Sequence, residues 1–243
     1  MYRINRLPAQ FVRARLATID KKLSGMPCIY TGSHSGKLVI RSYLNGRRHE
    51  YMESSRKGRE LLGVYNIRND LISLKKLLNS YLSSLPETKP IDPSKFDSYF
   101  NKEFYDNLTL RSEKDPIVTG YLHNDIYMRS RGELLVAEAL DSLGLEYKYE
   151  PMIRIRGKIC YPDFIVYLPE FNRCFFIEFL GRLDDDQYVA DNSFKIGRYL
   201  QSGMTINEDI LLFCGWENRM VSTESIVDDI VSLIGKYCRM YSA

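Results

Sequence analysis

The sequence predicts a mixed α/β fold, with a small central mixed sheet flanked by helices in its carboxy-terminal half and a helical and β-hairpin region before it. Three observations carry that expectation. Two short runs, Tyr161-Pro162-Asp163-Phe164-Ile165-Val166-Tyr167 and Cys174-Phe175-Phe176-Ile177-Glu178-Phe179-Leu180-Gly181, are aromatic and β-branched, and Pro, Gly or Asn bounds them, as strands require. The segment between them, Leu168-Pro169-Glu170-Phe171-Asn172-Arg173, has turn chemistry. Helical periodicity stands on both sides, so from residue 129 onward the order reads helix, three strands, helix, strand, helix.

Taken in order, Pro8 to Leu23 has Phe11, Val12, Leu16, Ile19 and Leu23 at helical spacing among Arg13, Arg15, Lys21 and Lys22, and Gly25 and Pro27 end it. Lys37 to Leu44 alternates, with Leu38, Ile40 and Leu44 on one face and Arg41 and Tyr43 on the other. Asn45-Gly46 is a favoured hairpin turn, and Arg47 to Met52 is the return strand. Arg59 to Leu85 reads as one or two helices with Leu71, Leu74, Leu78, Tyr81 and Leu82 on the apolar face. Pro86 to Pro93 has linker composition, and Phe96 to Leu110 reads as a short helix rich in Tyr and Phe. Beyond it, Ser130 caps a helix running to Leu143 and stopped by Gly144. A strand over Tyr147 to Ile155 follows, then the two strands described above. A helix over Asp185 to Ser202, a strand over Ile210 to Cys214 and a helix over Ser222 to Tyr237 complete the chain. The expected organisation is 1–85 as a basic amino-terminal region, 86–116 as a linking and packing segment, and 117–243 as the α/β domain.

Composition excludes several classes. No apolar run is long enough to span a bilayer, and Met1 to Arg6 has no signal-peptide character, so a cytoplasmic protein is expected. Five scattered cysteines without a Cys-x-x-Cys pair argue for reduced thiols, and His34, His49 and His123 are too dispersed for a zinc site. Net charge is +3, yet residues 1–60 hold 13 Lys and Arg against 4 Asp and Glu, a local balance of +9. A basic region of that kind, with Arg41, Arg47 and Arg48 on a tyrosine-bearing hairpin, suits a polyanion.

The chemistry-bearing residues are acids. Asp163 and Glu178 each sit inside an apolar run, where an ionised group is costly unless paired or bound to a cation. On adjacent antiparallel strands they lie side by side, and a divalent ion relieves their repulsion. Glu133 shares a helical stripe with Ala137 and Leu140 and turns inward, although a first-turn Glu also suits the helix dipole.

With Glu133, Pro162-Asp163 and Glu178 in that order on helix, strand and strand, residues 117–216 resemble the PD-(D/E)XK nuclease superfamily, the restriction-endonuclease-like fold. Arg129-Ser130-Arg131-Gly132-Glu133 is similar to its first-helix motif, and Tyr161-Pro162-Asp163-Phe164 to its PD element. The motif lysine is absent, because Leu180 stands in its place. The resemblance includes a branch in which that lysine has moved to the next helix, where Lys195 shares a stripe with Tyr188, Asn192 and Tyr199. Glu178-x-x-Gly181 followed by Asp184-Asp185 and Tyr188 is similar to a subgroup from bacterial and mobile-element proteins.

What the resemblance implies is a hydrolase that cuts phosphodiester bonds to leave a 5′-phosphate and a 3′-hydroxyl. Asp163, Glu178 and the Phe179 carbonyl would hold Mg²⁺ or Mn²⁺, Glu133 would serve a second ion or a bound water, and Lys195 would stabilise phosphate charge. Arg41, Arg47, Arg48, Arg129 and Tyr188 are the candidate nucleic-acid contacts, and Glu150 is a further acid of open role. The expected partner is nucleic acid, DNA ahead of RNA, with no organic cofactor, no membrane, and a homodimer left open. A nucleic-acid-binding module with a decayed site is the competing class, favoured by the missing motif lysine.

Overall fold

Pairs of turn residues with positive φ fold several strands of this chain into tight hairpins. A computed structural model describes residues 3–44, 47–92, 98–111, 119–215 and 221–242. Ser35 and Gly36 (φ 52° and 76°), Asn124 and Asp125 (46° and 63°), and Arg156 and Gly157 (50° and 78°) each close a two-residue turn of this left-handed type. The expected Asn45-Gly46 turn lies outside the described residues.

The densest contacts divide the chain into two units, Val12–Pro86 and a second made of Met1–Phe11 with Glu87–Ala243. This differs from the expected grouping of 1–85 as one region, and apolar burial is the reason. Ile4, Leu7 and Phe11 are buried, with the Phe11 ring stacked on Phe171 at 5.8 Å. The Arg3 N–H also donates to the Ser142 carbonyl at 2.6 Å. The first eleven residues therefore belong with the carboxy-terminal fold.

The Val12–Pro86 unit contains most of helix α1 (Ala9–Gly25), strands β1 (Ile29–His34), β2 (Lys37–Leu44) and β3 (Arg47–Met52), and helix α2 (Arg56–Leu82). The expected hairpin is the β2–β3 half of a three-stranded antiparallel sheet, because β1 pairs with β2 through Ile29↔Ser42 to His34↔Lys37. Ile29 and Ile40 bury one sheet face against Leu61 of α2, with Tyr51, Leu62, Val64 and Tyr65 around them. The long helical segment is one helix, capped where the Ser55 hydroxyl accepts from the Gly58 N–H at 3.0 Å.

In the second unit, α3 (Lys102–Asp106) and β4 (Thr109–Leu110) precede the hairpin β5 (Tyr121–His123) and β6 (Ile126–Met128). Helix α4 (Arg131–Ser142) follows, then β7 (Glu146–Tyr149), β8 (Pro151–Ile155), β9 (Lys158–Cys160), β10 (Phe164–Leu168) and β11 (Arg173–Leu180). Helix α5 (Asp186–Gln201), strand β12 (Ile210–Cys214) and helix α6 (Thr223–Met240) complete it. The central sheet has the order β12-β11-β10-β7, with β11 and β12 parallel and the other neighbours antiparallel. The fold class is thus mixed α and β.

The expected strand over 147–155 is broken. Glu150 adopts φ 43°, ending β7 and sending β8 away to pair with β4 and β9 in a separate sheet. Side-chain alternation gives the central sheet two faces. Ile165, Tyr167, Cys174 and Phe176 pack with Tyr199 of α5 and Tyr105 of α3 in one core cluster, where Phe100 and Phe104 also meet Phe176. Helices α4 and α6 pack on each other, burying Val136 and Leu140 with Ile226, Ile230 and Ile234. Among the described residues no helix is long and apolar enough to cross a membrane.

Because Phe11 is fully buried against Phe171, Phe11→Ala should destabilise the carboxy-terminal unit by about 3–5 kcal/mol. Urea unfolding followed at a probe in that unit checks it, and a change below about 1 kcal/mol would separate residues 1–11 from that core.

Candidate active site

Register places two acids together. The β10–β11 pairing runs from Leu168↔Arg173 to Phe164↔Ile177, and continuing it sets Asp163 opposite Glu178 at the open end of the hairpin. Asp163 lies one residue before β10, not within the strand, and its Oδ2 accepts the Phe179 N–H at 2.6 Å. Alternation puts both acids on the same sheet face as Phe176, the face that carries Tyr199 of α5.

Helix α5 supplies their partners. Asp185 caps it by accepting the Tyr188 N–H at 3.0 Å, which sets the helix's phase beside the sheet. Lys195 Nζ then donates to Glu178 Oε2 at 2.6 Å and stands 3.9 Å from Asp163 Oδ1. One turn later the Tyr199 hydroxyl donates to Glu178 Oε1 at 2.6 Å. Both oxygens of Glu178 are therefore engaged, and its side chain is only 1% exposed. Asp163 and Lys195 keep 18% and 22%, so the site opens to solvent on their side.

The electrostatics follow from burial. Desolvation, then Glu178 and Glu133, hold the Asp163 carboxyl well above the usual range, against the pull of Lys195. Desolvation also raises Glu178, although Lys195 and Tyr199 oppose it. Burial pulls the Lys195 ammonium down, but Glu178 and Asp163 together outweigh that and hold it above its ordinary value. Burial first, and then Glu178, push the Tyr199 phenol far up, so it remains a donor.

Glu133 caps α4 and turns toward the sheet. Its Oε2 accepts the Arg129 N–H at 2.9 Å and the Ser130 N–H at 3.3 Å, while Ser130 accepts the Glu133 N–H at 3.1 Å, a complete capping box. The Tyr149 hydroxyl donates to the same Oε2 at 2.6 Å. Tyr149 pairs opposite Phe164, on the sheet face away from Asp163, so Glu133 reaches the carboxylate pair through its charge, which helps raise Asp163, and not through a hydrogen bond. Among the described residues no three His, Cys, Asp or Glu side chains form a group arranged to hold a metal. The oxygen donors at hand are Asp163, Glu178 and the Phe179 carbonyl. A hard divalent ion accepts such donors, sharing Glu178 with Lys195 and filling its shell with water.

Phe179 locks the site's frame. A Cβ on Gly132 in the first turn of α4 would lie 2.0 Å from the Phe179 ring. Gly181 and Gly215 border the same ring, where a Cβ would meet it at 3.3 Å and 3.1 Å. The Tyr188 hydroxyl donates to the Phe179 carbonyl at 3.3 Å and accepts the Gly181 N–H at 3.2 Å. Tyr188 thus braces the end of β11, under the Arg182 guanidinium 4.8 Å from its ring centroid.

Arg129 is engaged with the protein: its Nε donates to Glu150 Oε1 at 2.8 Å, and Arg111 Nη1 reaches that oxygen at 3.4 Å. The Glu150 N–H donates to the Asp163 carbonyl at 2.9 Å, so this acid ties Arg129 to the backbone beneath the site. Arg41, Arg47 and Arg48 lie in the Val12–Pro86 unit, with Arg47 exposed and the other two paired to Glu50. Sequence reasoning had Tyr199 on the right stripe without its contact to Glu178, and it missed Tyr149. A tyrosine one turn beyond a candidate lysine was the available signal. No family model, no curated protein and no solved structure matches the chain.

Two outcomes test this geometry. Gly132→Ala should cost about 1–3 kcal/mol through its collision with the Phe179 ring, and Phe179→Leu in the same chain should recover part of it. Denaturant titrations of the two single variants and the double measure the coupling. A carboxyl whose folded pKa is raised loses stability as pH climbs from its unfolded value through its folded one. Asp163→Asn, melted in EDTA, should therefore exceed the wild-type Tm at about pH 8 and converge with it at about pH 4.

Proposed function

We propose that the chain is a metal-dependent nuclease with a restriction-endonuclease-like core, hydrolysing phosphodiester bonds of nucleic acid, DNA ahead of RNA. The observation that supports it is the single ammonium of Lys195, bonded to Glu178 and facing Asp163 from the helix after β11. That is where a lysine moved from the position of Leu180 has to stand to serve the same two acids.

Bound Mg²⁺ or Mn²⁺ would lower the pKa of a water and offset charge on the phosphate. The chain's own residues do the rest. Asp163 and Glu178 supply hard oxygen ligands, Asp163 oriented by the Phe179 N–H and Glu178 by the Tyr199 hydroxyl. Tyr188 steadies the Phe179 carbonyl. Lys195 is held protonated by the two carboxylates and presents its charge on the solvent-open side, where a phosphate oxygen gains charge in the transition state. Glu133 acts through the capping box, fixing Arg129 and the start of α4 beside the acids.

A second reading is a binding module of the same fold that does not cut. It is favoured by the complete satisfaction of Glu178, whose two oxygens already meet Lys195 and Tyr199 without an ion.

Mg²⁺ should raise the Tm of the wild type and leave that of Asp163→Asn unmoved, because an ion bound only by the folded state stabilises it. With saturating Mg²⁺, single-turnover cleavage of a DNA panel by Lys195→Ala should fall by about a hundredfold or more. A wild type that cuts no DNA or RNA with Mg²⁺ or Mn²⁺, and whose Tm neither ion moves, overturns the nuclease reading in favour of the module.

A further inference from the structure

The sheet of the Val12–Pro86 unit packs one face on α2, and on the other face Val39 is buried while Tyr30, Tyr43 and Arg48 are exposed. Strand alternation assigns Ile29, Ile40 and Tyr51 to the face covered by α2. The other face carries Tyr30 and His34 on β1, Lys37, Arg41 and Tyr43 on β2, and Arg48 and Glu50 on β3, in the cross-strand pairs Tyr30↔Arg41, Arg41↔Glu50 and Tyr43↔Arg48. Tyr30 and Tyr43 are each 55% exposed there, so much of both rings faces solvent. Their ring centroids are 6.3 Å apart with the planes at 90°, so one ring props the other.

Arg41 pairs opposite Tyr30 and precedes Tyr43 by two residues on β2, and it is held in place. Its Nε donates to Glu50 at 2.7 Å, and its guanidinium lies across Gly32, where a Cβ would come within 2.5 Å of Nη1. Glycine at that position leaves the room that the flat guanidinium needs. The hydrogen bond to Glu50 uses Nε, and no partner among the described residues engages the two η nitrogens. Arg48 also pairs with Glu50, and together Arg48 first and then Arg41 hold its carboxyl down to about 2. The face thus sets three cations, Lys37, Arg41 and Arg48, against one anion, with two aromatic rings between them.

We propose that this face binds an unpaired DNA strand, with bases stacking on Tyr30 and Tyr43 and phosphates meeting Arg41 and Lys37. Charge complementarity commits it to a polyanion, since residues 1–60 carry a balance of +9. The exposed rings commit it to the unpaired form, because a duplex keeps its base faces stacked inside and offers only phosphates and groove edges. The inference rests on reading the chain as a nucleic-acid protein and deepens it to a substrate class, but it does not depend on cleavage.

The test is fluorescence anisotropy of the full-length protein in EDTA, with a labelled single-stranded DNA oligonucleotide, its duplex, and the matching RNA strand. Tyr30→Ala with Tyr43→Ala should weaken single-strand binding at least about tenfold and change duplex binding by less than about twofold. Tyr30→Phe with Tyr43→Phe, which keeps both rings, should bind as wild type does. Tyr30→Thr with Tyr43→Thr, which keeps strand propensity, should reproduce the alanine result if the loss is one of stacking and not of folding. Equal losses for strand and duplex, no loss for either, or wild-type protein that binds no nucleic acid would each overturn the proposal. RNA bound more tightly than DNA overturns its assignment to DNA. Wild type that binds the strand but does not cut with Mg²⁺ leaves this proposal standing and removes only the nuclease reading.

Discussion

Burying the carboxylate of Glu178 is the constraint around which the carboxy-terminal unit is arranged. An anion at 1% exposure is expensive, and the protein meets that expense with two donors delivered one helical turn apart, Lys195 and Tyr199. Both donors come from α5, so the phase of that helix relative to β11 has little freedom. Its Asp185 cap and the Tyr188 contacts to Phe179 and Gly181 hold its first turn to the end of the strand. The same geometry leaves Asp163 with the longer contact to Lys195, at 3.9 Å, while burial and the neighbouring Glu178 hold its carboxyl well above the usual range. An asymmetric pair of this sort has one acid anchored and one acid available.

Much of this arrangement was legible in the chain. The hairpin around Phe171 and Asn172 showed in its turn residues, and alternation from that turn was enough to set Asp163 beside Glu178. Helical spacing placed Lys195 on the stripe of Tyr188 and Tyr199, which is a matter of 3.6-residue periodicity alone. What was not legible depends on tertiary context. A positive φ at Glu150 has no local signature in a residue that is neither Gly nor Asn, and it splits one expected strand into two that serve different sheets. The grouping of residues 1–11 with the distant carboxy-terminal core rests on a ring stack between Phe11 and Phe171, far apart in sequence. Glu133 meets both readings its spacing allowed: it accepts the Arg129 and Ser130 N–H groups as a cap, and it turns inward to the Tyr149 hydroxyl on β7.

The two units divide the polar chemistry between them. Acids and their single lysine occupy the mouth of the mixed sheet, and the basic, tyrosine-bearing surface belongs to the small antiparallel sheet. Each of these two surfaces has an apolar cluster behind it: Tyr199 and Phe176 behind the acids, Leu61 and Ile40 behind the arginines. A rigid support of this kind keeps long charged side chains from collapsing onto one another, as the pairing of Arg41 and Arg48 to a shared Glu50 also does.

The slot around the Phe179 ring carries a consequence for how this sequence is able to vary. Gly132, Gly181 and Gly215 come from three segments distant in the chain, yet all three border one aromatic ring. Their sizes are therefore not independent characters. In a combinatorial library randomised at 132, 179, 181 and 215, functional clones should conserve summed side-chain volume, so that a gain at one glycine is accompanied by a smaller residue at 179. Drift at these positions would have to proceed by paired steps, and the ring would act as a gauge for the spacing between the first turn of α4 and the ends of β11 and β12.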